Sequence, residues 1–101
     1  MADTFTVQNN EAQSRFEVTL NGALAQIDYG RSGNSIIFTR TEVPAALEGK
    51  GIGGAMAKAA LEYARTQQLE VVPLCPFVRS YIDRHAEYQP LVKSDSGGGW
   101  G

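Results

Sequence analysis

Residues 48–54 read Glu48-Gly49-Lys50-Gly51-Ile52-Gly53-Gly54, and the rest of the chain takes its place from this stretch. Before it, apolar residues alternate with polar ones; after it, they recur every three or four positions. A period of two belongs to a half-buried strand and a period near 3.6 to an amphipathic helix, so a sheet ends and a helix begins here. Glycine lets backbone approach a ligand closely, and the first amides of a helix have no partner within it. Such a junction suits an anion, above all a phosphate or pyrophosphate. A tight structural turn is the plainer reading. The spacing of a nucleoside-triphosphate loop, Gly-x-x-x-x-Gly-Lys-Ser/Thr, is missing.

Upstream, Phe16, Val18 and Leu20 alternate with Arg15, Glu17 and Thr19. Asn21-Gly22 follows, a hairpin signal because both residues tolerate positive φ, and 24–29 should pair back antiparallel. A second turn cluster at 30–34 leads into 35–41, rich in β-branched and aromatic residues and ended by Pro44. With a weak alternation at 5–7, the first 43 residues predict a four-stranded meander.

Downstream, Ile52, Met56, Ala59, Ala60, Tyr63 and Ala64 predict a helix over 51–67. A short strand over 69–74 contains Val71-Val72, and its Pro73 implies an edge, a bulge or a splayed end. Pro76 suits a first helical turn, and Phe77, Tyr81 and Ile82 make a candidate buried stripe on a second helix reaching His85. The order is β-β-β-β-α-β-α, an α+β fold. Residues 1–93 read as one domain and the glycine-rich 94–101 as a disordered tail.

The chain has 101 residues, enough for one core, and 43% apolar with 20% charged residues is ordinary for a globular domain. A formal charge of -2 supplies no basic field, so neither nucleic acid nor a membrane is expected as a partner. One cysteine and one histidine give neither an internal disulfide nor a zinc-spaced cluster, so no metal is expected. No charged start with an apolar run and no 18-residue apolar stretch is present, which predicts a soluble, cytoplasmic protein, expected as a monomer.

The glycine stretch also resembles a family motif. The GCN5-related N-acetyltransferases carry Gln/Arg-x-x-Gly-x-Gly/Ala at the start of the helix after the fourth strand, and Glu48-Gly49-Lys50-Gly51-Ile52-Gly53 corresponds to it. Pro73-Leu74-Cys75-Pro76-Phe77 and the run from Tyr81 to Tyr88 look like the compact single-domain subfamily, and the likeness covers 21–92. It implies a minimal acetyltransferase fold and acetyl-CoA as cosubstrate. The pyrophosphate would lie on the amides of Gly49, Lys50, Gly51, Ile52, Gly53 and Gly54, and the pantetheine arm against the strand end at Glu42 and Val43. Two positions depart from the pattern. Glu48 stands where the family has Gln or Arg and brings a carboxylate toward a pyrophosphate, which Lys50 can partly offset. Ala86 stands where the family usually has Pro, which allows the last helix to run on or leave at another angle.

Three residues are candidates for the chemistry. Cys75 precedes Pro76 and so can stand at a helix N-terminus, where the dipole favours a thiolate able to take an acetyl group; an inert buried cysteine is the alternative. The subfamily resemblance implies a place for this cysteine near the acetyl group. Tyr81, by the same resemblance, is a candidate acid for the departing CoA thiolate, against a plain core aromatic. Glu42 could accept the amine's proton through water, against a solvated strand-end charge. His85 fits a helix C-terminal cap better than a partner for Cys75. The expected function is acetyl transfer to an amine; the rivals are a non-catalytic CoA-binding module and a protein-interaction domain.

Overall fold

The computed structural model describes residues 5–92. The expected tail at 94–101 lies outside them. Five strands form one sheet in the order β1-β2-β3-β4-β5: β1 Gln8–Asn10, β2 Arg15–Leu20, β3 Ala23–Ser32, β4 Ser35–Glu42 and β5 Glu70–Pro73. The first four pair antiparallel and β5 joins β4 in parallel. Helix α1, Ile52–Thr66, makes the crossover that a parallel pair requires, and α2 is Pro76–Arg84. The mixed α+β architecture is the one the periodicity predicts.

Two expectations shift. The first strand lies at 8–10, not 5–7: Asn9 pairs with Phe16 and accepts a 2.7 Å hydrogen bond from the Tyr29 hydroxyl. The chain after α2 does not prolong that helix at Ala86. It closes on His85 and forms a 3-10 segment, Ala86–Leu91, that brings Tyr88 inside.

The hairpin turn has positive φ at both Asn21 and Gly22, 53° and 78°, the geometry for which Asn-Gly is selected. Phe16, Val18, Ala25, Ile27, Tyr29, Ile36 and Phe38 alternate onto one face of the sheet and share a core with Ile52, Met56, Ala57, Ala60, Leu61 and Ala64 of α1. From α2, Val78, Tyr81 and Ile82 enter this core, while Phe77 is only half-buried.

One irregularity decides what the end of β4 presents. Tyr29 pairs with Phe38, but Asp28 pairs with Arg40, so Thr39 is an extra residue, a β-bulge. Its hydroxyl donates to the Asp28 carbonyl at 3.3 Å. Cross-strand partners share a face, so if Thr39 paired regularly with Asp28 the Arg40 side chain would stand opposite buried Ile27. With Thr39 bulged out, Thr41 takes that place. Arg40 and Glu42 then project from the other face, opposite Asp28 and Gln26, and form an ion pair.

Candidate functional site

Pairing between β4 and β5 covers only Ser35–Phe38 and Glu70–Pro73. Pro73 has no amide hydrogen to continue the ladder, and the last link is the Cys75 amide donating to the Phe38 carbonyl at 2.9 Å. Beyond it the two chains part, leaving one edge of β4 from Thr39 to Glu42 without a strand neighbour.

The glycine stretch borders this opening. Gly49 and Gly51 have φ of 83° and 75°, where a side chain is strained, and Gly51 caps α1 without a side chain over its N-terminus. The first intrahelical bond of α1 is Ala55 N–H to Gly51 O at 3.0 Å. The amides of Ile52, Gly53 and Gly54 therefore have no carbonyl partner in their own helix, and the first turn carries no acidic residue. Gly53 has a further reason to be glycine. A Cβ on Gly53 would stand 2.8 Å from Cζ of Phe77, whereas one on Gly54 would make an ordinary contact with the Tyr81 ring at 3.8 Å. The missing side chain of Gly53 lets Phe77 of α2 lie close to the start of α1.

A cleft of about 450 Å³ results, lined by Thr41, Val43, Leu47, Glu48, Gly49, Gly51, Ile52, Gly53, Gly54 and Phe77. One end offers free amides and the helix dipole; the walls are apolar. Ile52 contributes its amide, since its side chain is buried. Lys50 is exposed beside the loop, and Glu48 places its carboxylate at the margin. The donors at one end suit a phosphate and the apolar walls suit an extended arm, with Glu48 the one element opposed to an anion.

Cys75 is the N-cap of α2, 2% exposed, and its side chain caps nothing. Its sulfur lies 2.9 Å from the Thr41 hydroxyl, so Thr41 stands between the sulfur and the cleft. Tyr81 is placed differently. Its ring stacks on His85 at 3.9 Å and 14°, lies 6.2 Å from the Tyr88 ring and stands behind Gly54 without lining the cleft. Burial pushes its hydroxyl pKa up. His85 caps α2, its Nδ1–H donating to the Tyr81 carbonyl at 2.8 Å; a carbonyl can only accept, which assigns the proton to Nδ1. Glu42, on the far side of β4, lines a separate hollow with Leu24, Thr41, Val43 and Pro44.

The fold thus brings Val43, Gly49, Gly51, Ile52, Gly53 and Gly54 to one cleft, sets Cys75 behind Thr41, and leaves Glu42 and Tyr81 outside it. Sequence reasoning missed Thr41 and Phe77. The signal for Phe77 was Gly53, whose missing side chain needs a neighbour; Thr41 had none, because its direction depends on the bulge.

A family model of the GCN5-related N-acetyl-transferases matches residues 15–91. The chain belongs to this family. Protein NATD1 of Mus musculus is 33% identical over 90 residues, covering 86% of this chain and 82% of that protein. Protein NATD1 of Xenopus tropicalis is 29% identical over 95 residues, covering 91% and 87%. The solution structure of a GCN5-like protein from Staphylococcus aureus superposes with a TM-score of 0.70 at 26% identity, over 93% of each chain. No helix among the described residues is long and apolar enough to cross a membrane, and no three or more His, Cys, Asp or Glu side chains converge there to hold a metal.

Proposed function

We propose that this protein binds acetyl-CoA in the cleft and transfers the acetyl group to a primary amine. The observation that carries the reading is the union of free α1 amides with the unpaired edge of β4 in one concavity. The amides of Gly51 to Gly54 hold the pyrophosphate, and Val43, Leu47 and Phe77 flank the pantetheine arm. Acetyl-CoA supplies an activated acyl group.

For direct transfer, the acceptor's ammonium form gives up one proton to Glu42 through water, the freed amine nitrogen bonds to the acetyl carbon, and the carbon–sulfur bond breaks. The nitrogen then loses a second proton to solvent, keeping one in the amide, and the CoA thiolate takes up one. Cys75, in contact with Thr41 at the wall of the cleft, is better situated than Tyr81 to give that proton or to carry the acetyl group as a thioester. A second reading, a CoA-binding module without turnover, is favoured by the 2% exposure of Cys75 and by Glu48 at the cleft margin.

Titration with CoA and acetyl-CoA followed by amide NMR is expected to shift Gly51 to Gly54 first; no shifts there at millimolar ligand would falsify the site. Intact mass after acetyl-CoA treatment and thiol release on an amine panel separate the readings. An adduct lost in Cys75→Ala but kept in Tyr81→Phe supports the covalent route. Binding with neither adduct nor thiol release supports the module.

A further inference from the structure

A second hollow lies at the end of β4. It measures about 430 Å³ and is lined by Leu24, Thr41, Glu42, Val43 and Pro44. Thr41 and Val43 line both concavities, so the end of a single strand separates them. Three of its lining residues are apolar, one is a hydroxyl, and Glu42 is the acidic one; no Lys or Arg lines it.

We propose that this hollow receives the acetyl acceptor, and that the acceptor is a small alkylammonium compound with no carboxylate near its amine. The inference rests on the acetyl-CoA reading above and adds the place and the charge class of the second substrate. Leu24, Val43 and Pro44 offer contact to an alkyl chain, and the Glu42 carboxylate attracts the ammonium group. A carboxylate on the same ligand would meet Glu42 across the hollow with no cation on the lining to hold it, so a free amino acid is disfavoured. Arg40 bonds Glu42 from outside the hollow and competes with the ligand for the carboxylate. Carboxylate, alkyl wall and nearby thioester cleft together set the amine beside the group that takes its proton.

The test uses the protein without CoA and a matched pair, n-butylamine and γ-aminobutyrate, which differ in that a carboxylate replaces the methyl end. In amide NMR titrations, n-butylamine is expected to shift Leu24, and γ-aminobutyrate to shift it less at equal concentration. Glu42→Gln should weaken butylamine binding by about threefold to fivefold, the size of a partly exposed ion pair. Arg40→Gln should tighten it, a gain that loss of structure cannot produce. The proposal is overturned if Leu24 does not respond to butylamine, if both compounds act equally, or if Glu42→Gln leaves the affinity unchanged. Failure of the CoA reading is seen elsewhere, at Gly51 to Gly54, so the two failures are distinguishable.

Discussion

The corner around Tyr88 and the mouth of the cleft are both built against α1, and they treat their polar groups in opposite ways. At the corner, the Tyr88 hydroxyl donates to Glu62 at 2.7 Å, Arg65 pairs with the same carboxylate, and the Arg65 guanidinium sits 5.6 Å over the Tyr88 ring. Glu62 is held down to about 2, chiefly by its bond to Arg65 and then by that to Tyr88. Burial first, and then the bond to Glu62, hold the Tyr88 proton in place. At the mouth, the first amides of α1 have no carbonyl within their helix and the edge of β4 has no strand beside it. Helix ends and strand edges need partners, so a region that satisfies itself is structural and one that does not is waiting for something.

If that division is real, the two regions should fail independently. The largest effect is expected at the corner. Tyr88→Ala empties a buried aromatic site and should cost about 3–5 kcal/mol, seen as a large fall in denaturation midpoint. Chemical shifts of Gly51 to Gly54 on adding CoA should survive in the cold. Loss of both together would merge the two regions into one cooperative unit.

A smaller effect, reversed in kind, is expected at the mouth. Gly53→Ala drives a Cβ into the Phe77 ring, and overpacking of this sort costs about 1 kcal/mol or somewhat more. The displaced ring should narrow the cleft and weaken CoA binding more than it lowers stability. Phe77→Leu in the Gly53→Ala background should recover part of the stability, which a double-mutant cycle reads directly.

The smallest effect sharpens the electrostatics of the corner. The Glu62 pKa is lower folded than unfolded, so its contribution is present above about 4.5 and fades as pH falls toward 2. Denaturant midpoints across that window should decline less steeply in Glu62→Gln than in the wild-type protein. Equal slopes would mean that the pairing with Arg65 and Tyr88 is not held in solution.

Much of this arrangement could be read from residue order. The Asn21-Gly22 turn, the switch of period at Gly51, the stop at Pro73 and the His85 cap all lie where local chemistry puts them, because each depends on a few neighbouring atoms. The bulge did not announce itself: 39–42 reads Thr-Arg-Thr-Glu, with no apolar residue to mark which side faces inward. The 3-10 segment at 86–91 was hidden because Pro90 lies within it and its one buried side chain, Tyr88, packs on residues distant in sequence. On α2 the stripe was legible except in phase, since Val78 and not Phe77 is the buried member. Cys75 and Glu42 were found by type, and their separation to the two faces of β4 followed from a register that only pairing reveals.

That register has a consequence for how the protein tolerates change. Thr39 bulges out of a register that β3 dictates on both sides of it, so any residue able to adopt the bulge leaves Thr41 facing the sulfur and Glu42 facing away. Deleting Thr39 would straighten the strand and keep Arg40 opposite Asp28, Thr41 opposite Ile27 and Glu42 opposite Gln26, whereas pairing Thr39 regularly with Asp28 would turn Arg40 inward with every identity intact. Along this strand the site is written in pairing more than in length, and loss of the bulged residue should be tolerated where a shift of register is not.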